Sequence, residues 1–268
     1  MRNLFLRRWA LFAALVAAWE VAARLADNPF FPPPSEIAGT ASGLWLSGPV
    51  DRLFLSDAVF SDVLPSVGRL LLGWGLAAVL GVALGVAIGR SPVARHYLGP
   101  LLTFARAVPP PALVPVFLVL FRVGTPMQLA TITLGVLWPI LLNSADGARS
   151  IDATKTDTAV VFRIPRAQWI LGVVLPGALP KIFAGLRVSL SLSLVLMVVS
   201  ELVGSTNGIG FKLLVAQREF DFPQLWAGIA LLGVLGYLLN TALLTVERRM
   251  LAWQPRQEFV VKPTTAGD

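Results

Sequence analysis

Cysteine is absent from this sequence, histidine occurs once, and charged residues make up only 14% of it. Without cysteine there is no disulfide framework and no thiolate metal site. The lone histidine, His96, has no partner motif for catalysis or metal ligation, and no cofactor is expected. The shortage of charge excludes an ordinary soluble globular domain, where charged residues run near 25%. Two motifs are missing as well. No G-x-x-x-x-G-K-[ST] phosphate loop is present, so the chain is not expected to hydrolyse nucleotide itself. Nor do its apolar segments hold the H-E-x-x-H or paired acids that an intramembrane enzyme would need.

What is there is apolar. Hydrophobic residues make up 56% and the mean hydropathy is +0.73. Runs of about 18 or more nearly uncharged residues recur, each long enough to cross roughly 30 Å of hydrocarbon as a helix. The expected fold class is an all-α integral membrane protein with six transmembrane helices. The single domain covers 1–268, with a transport core at about 62–250. The net charge of +7 is read as the positive-inside bias of cytoplasmic loops, with membrane lipid rather than nucleic acid as the partner.

The first apolar run follows Arg2, Arg7 and Arg8, continues past Trp19 and Glu20 to about residue 26 and ends in no small-residue cleavage site, so it is expected to remain as a first transmembrane helix rather than a removed signal peptide. Within it Glu20 and Arg24 stand four apart and can pair. In the acidic linker of residues 27–63, three prolines give way to Ser35 and Glu36, which can start a short helix. The second span, 64–89, has glycine at 81, 85 and 89, allowing close helix approach on one face. Arg69 near its outer end is expected to snorkel to the membrane surface.

The third span, 101–121, carries Pro109, Pro110, Pro111 and Pro115, which must distort a helix. Free carbonyls and Arg106 at membrane depth point toward protein or an aqueous path rather than lipid. Arg106, Pro110 and Ala112 are therefore candidate path residues. The fourth span is 127–145. Residues 146–181 are too charged to span and form a loop on the cytoplasmic side. Helix-forming residues run from 152 to about 164, Pro165 suits the start of a second short helix, and Pro176 marks its end. Val160, Val161, Phe162 and Trp169 are apolar knobs that a partner groove could grip.

The fifth span, 182–204, is serine-rich, and Ser189, Ser191, Ser193 and Ser200 can bond to carbonyls four residues back. Ser189, Ser193 and Glu201 complete the candidate path, Glu201 having no obvious local partner. An outer loop and a sixth span at 225–246 follow, then a polar tail. With the N-terminus inside, 15 of the 22 Lys and Arg residues fall on the cytoplasmic side, counting Arg187 at the inner end of the fifth span; five fall outside (Arg24, Arg52, Arg122, Lys212, Arg218), and Arg69 and Arg106 lie within spans. That ratio places both termini in the cytoplasm.

Several stretches together resemble the permease subunit of bacterial ABC importers, in the branch handling nitrate, aliphatic sulfonates, taurine and similar small anions. They include FFPPPSE, PSVGRLLLGWG, RAVPPPALVPVF, VVLPGALPKIFAGLRVSL, TNGIGF, AQREF and VERRMLAWQP, in that order over nearly the whole chain. The family signature is an E-A-A segment, a glycine and then I-x-L-P. It falls here on Asp157, Thr158, Ala159, Arg163, Val173, Leu175 and Pro176. Asp157 and Thr158 replace Glu and Ala, and Arg163 stands where the family has glycine, at a left-handed helix end.

The resemblance implies a type I importer fold in the bacterial inner membrane, with a coupling helix in the loop 146–181. It also implies three partners: a cytoplasmic ATPase dimer, an extracytoplasmic substrate-binding protein and a second permease copy. The ATPase would dock on Asp157, Ala159, Val161, Phe162, Arg163, Trp169 and Pro176. The alternatives are a secondary transporter or channel, for which no inverted repeat is visible, and a membrane-embedded enzyme.

Overall fold

The computed structural model describes residues 2–253, with side chains from residue 10 onward. The polar tail expected beyond them lies outside the described residues. The described chain is helical, and four of its helices are long and apolar enough to cross a membrane: Val59–Arg90, Thr125–Arg149, Arg166–Gly204 and Phe222–Met250. The expected third span is instead two helices, α4 (Pro92–Ala105) and α5 (Val114–Phe121), bent by 80° at the prolines. Arg106 to Pro109 and a 3₁₀ turn at Pro110–Leu113 separate them. Consecutive prolines remove the donors that would carry an α ladder through this point. The first helix, α1 (Arg2–Ala26), leads into α2 (Pro34–Trp45), which begins at Pro34 and Ser35 as the sequence suggests.

The centre is a three-helix seam of α3 (Leu64–Arg90), α6 (Thr125–Arg149) and α9 (Leu175–Gly204). Leu70, Ile132, Ile140, Phe183, Leu196 and Met197 fill it. The glycine face of α3 is what lets α6 in so closely. A Cβ at Gly85 would collide with the Leu141 carbonyl, and one at Gly89 with that of Ala145. Backbone contact of that kind provides van der Waals attachment where lipid offers no hydrophobic drive.

Around the seam lie α10 (Ile209–Glu219) and α11 (Phe222–Met250). Asp221 caps α11 by accepting from the Gln224 amide at 3.0 Å. Near that end Trp226 gathers the first two helices: its indole N–H donates to the Phe30 carbonyl at 3.0 Å, and its ring meets Trp19 edge-on at 5.4 Å. Glu20 and Arg24 pair at 2.6 Å as expected, and both also bond Ser35.

One expectation about chain breaks fails. Pro176 does not end a helix. The chain runs unbroken from α8 (Arg166–Trp169) through a π-helical turn at Ile170–Val174 into α9. A π turn widens the ladder just before Leu175 and Pro176, making room for the proline ring and its missing donor. The same device precedes Pro65, where a π turn at Val59–Val63 leads into α3.

Candidate functional site

The loop between α6 and α8 is built around α7 (Ala153–Val161). Asp152 caps it, its carboxylate accepting from the Thr154 amide at 3.1 Å. At the other end the Ile164 amide donates to the Ala159 carbonyl at 2.9 Å and the Arg163 amide to that of Val160 at 3.1 Å. This is the Schellman pair of bonds, and it requires a left-handed residue between them. Arg163 fills that role with φ +49°, in the position where the family pattern has glycine.

The turn turns the apolar end of α7 outward. Val160, Val161 and Phe162 are 72%, 76% and 74% exposed, and Asp157 is exposed beside them. Arg163 is exposed as well, and the other three residues of the set face inward. Ala159 is buried. Trp169 is half-buried, packed with Val86, Ala148 and Val174, and the Arg90 guanidinium lies 5.8 Å from its ring centre. Pro176 is half-buried about two turns further on. The expected docking residues therefore divide into an exposed tip and an anchored base.

The candidate path residues divide as well. Arg106 caps α4 and is exposed in the 80° break, as is Ala112. Pro110 packs over Gly135 near Leu196, closing the break against α6 and α9. Ser189 and Ser193, by contrast, are fully buried in the helix seam. Their hydroxyls donate to carbonyls three residues back rather than four, at 2.9 and 2.7 Å, a geometry serine reaches equally well. The Trp74 indole donates to Ser189 at 2.9 Å. Ser189 thereby ties α3 to α9.

Glu201 is where sequence reasoning missed most. It is 1% exposed and accepts from Ser66 Oγ at 2.7 Å, Arg69 at 2.8 Å and the Gly210 amide at 2.8 Å. Arg69 does not snorkel; it is 8% exposed and also donates to the Asn207 side chain. Asp62 accepts from the Gly208 amide at 3.0 Å, and the Ile209 amide donates to Ser66 at 2.9 Å. Four successive residues, 207 to 210, are thus each held by a different side chain. Gly208 has φ +115° and its α-carbon faces the Glu201 carboxylate, so no side chain fits there. The available signal was the coincidence of Arg69, an unpaired Glu201 and the TNGIGF stretch. About 30 Å of helix separates Arg69 from Arg90, so this latch and α7 lie at opposite ends of α3.

The model of one family, the binding-protein-dependent transport system inner membrane component, matches residues 77–252, from mid-α3 past the end of α11. The chain belongs to this family. This permease is also 30% identical to the taurine transport system permease protein TauC of Escherichia coli over 253 residues, 94% of this chain and 90% of that protein. It is 33% identical to the bicarbonate transport system permease protein CmpB of Synechococcus elongatus over 208 residues, 77% of this chain and 72% of that one. Among solved structures, a chain from inward facing conformations of the MetNI methionine ABC transporter superposes with a TM-score of 0.63 at 17% identity. It covers 70% of this permease and 94% of its own length, and what it supports is the fold. The permease is a multi-pass component of an ABC import system in the inner membrane.

Proposed function

We propose that this permease carries a small anionic solute inward, in a complex with a separate cytoplasmic ATPase dimer, an extracytoplasmic substrate-binding protein and a second permease copy. Relatives named for taurine, which bears a sulfonate, and for bicarbonate support an anion such as nitrate, a sulfonate or taurine. The single observation that carries the coupling part is the exposed tip Val160-Val161-Phe162 at the end of a capped helix. Large apolar side chains on a charged loop are costly unless something covers them. An ATPase groove would grip Val161 and Phe162, with Asp157 and Arg163 at its rim and Ala159, Trp169 and Pro176 holding the tip in place.

In this reading α1 and the broken pair α4–α5 complete six spans, and both termini lie in the cytoplasm. The binding protein would deliver solute at the end of the molecule that carries Glu201. The solute would pass the break between α4 and α5, where Arg106 supplies a cation and proline-freed carbonyls keep the backbone polar, with Pro110 and Ala112 alongside. ATP-driven closure of the ATPase dimer would switch access from one side to the other.

The test is copurification. Phe162→Asp should release the ATPase, since loss of an interface anchor typically costs over about 1 kcal/mol, while the permease still inserts. Retention of the ATPase together with normal transport would remove α7 as the docking element.

A further inference from the structure

An open groove of about 780 Å³ runs along the outer face of α3 where the α8–α9 helix leans against it. Its floor is the stripe Ala78, Val82, Ala83 and Val86, and Ile170, Leu171 and Leu175 form the opposite wall. The apolar part stops at one end, where Arg90, Ser91 and Arg166 line it. No acidic residue lines the groove. Among the described residues neither arginine forms an ion pair. Arg90 makes only a 3.4 Å bond to the Ala148 carbonyl and its contact with Trp169, leaving donors over. Arg166 is exposed.

We infer that this groove is a binding site for an anionic phospholipid of the bilayer, its phosphate between Arg90 and Arg166 and one acyl chain along α3. Length and charge both select this occupant. From Ala78 to Arg90 the helix rises about 18 Å, close to the roughly 15 Å of one leaflet's hydrocarbon. The basic end then falls at headgroup depth, where a basic pocket between spans suits an anionic head. A protein helix would bring its own apolar face, but would leave two guanidinium groups without a counter-charge. The site does not depend on which solute the permease carries or on what docks at α7. It requires only that α3 crosses the bilayer.

Native mass spectrometry of the detergent-purified permease, supplied with phosphatidylglycerol or phosphatidylcholine of the same chains, tests this. Phosphatidylglycerol should be retained in preference by about fivefold or more, a factor expected of even one basic residue at the headgroup. Arg166→Gln should reduce that preference about fivefold, and being an exposed substitution it leaves the fold intact. Ala83→Trp, which fills the groove, should reduce retention of both lipids. Equal retention of the two lipids by the unaltered permease would overturn the inference. Displacement of phosphatidylglycerol by equimolar glycerol phosphate would also overturn it, pointing to a free anion. So would an Ala83→Trp variant that keeps its lipid but loses self-association, which would give the groove to a second copy of the chain.

Discussion

Arg163 sits in a backbone conformation that disfavours every residue but glycine, at a cost of about 1–2 kcal/mol. It is tolerated because the two Schellman bonds and Pro165 fix the turn from both sides. Arg163→Gly is therefore expected to stabilise the end of α7 by about 1 kcal/mol. The Ile164 amide should exchange with deuterium several-fold more slowly, and ATPase retention should stay equal or rise. Faster exchange would show that the arginine side chain contributes more than its backbone costs. The need for a left-handed residue here was legible from the family pattern alone. The partner of Glu201 was not. Arg69 lies 132 residues away in sequence, and nothing local reveals which helices meet. Arg69→Met should cost 3 kcal/mol or more, roughly, because it strands a buried carboxylate. Adding Glu201→Gln should restore much of that loss, as read by thermal unfolding of the purified permease. Equal stability of Arg69→Met and the unaltered chain would show that the pair does not hold the latch.

At the scale of elements, prolines were informative about where the chain breaks but not about how. The run from Pro109 to Pro111 gives a bend of 80°, whereas Pro176 is absorbed within a continuous helix. The difference lies in the neighbours: three successive prolines remove adjacent donors, while a single proline needs only one widened turn. Sequence periodicity does not report a π turn. The serines of α9 illustrate the same limit. A polar residue in a span reads equally as pore lining or as helix glue, and in this structure Ser189 and Ser193 are buried in the seam. Two substitutions separate these roles. Ala112→Trp, exposed at the break, should leave the permease assembled while solute uptake falls to background. Ser193→Trp should instead lower the amount of assembled permease, since overpacking a seam costs about 1–3 kcal/mol. Normal uptake by Ala112→Trp would move the path away from the break.

For the whole molecule, composition alone was enough to indicate a membrane-embedded helical protein, and the order of motifs was enough to indicate its family. The proposed sidedness rests on charge counting and can be tested directly, because the chain has no cysteine of its own. Single cysteines at Ser47, Thr206 and Thr154 all replace exposed residues, so differences in labelling will report side rather than burial. An impermeant thiol reagent applied to intact cells should modify positions 47 and 206 and leave 154 untouched. Modification at 154 would reverse the orientation and place α7 beyond the reach of a cytoplasmic ATPase. Sidedness matters because of the unbroken helix from Arg166 to Gly204, 39 residues long and so about 58 Å from end to end. Mechanically it is a lever with its handle beside α7 and its far tip at Glu201. A tilt of about 5° around its middle would carry each end sideways by roughly 2.5 Å. Bonds of 2.7 to 2.8 Å at Glu201 would not survive that displacement, so a small push on one side of the membrane would be felt on the other as a latch coming undone.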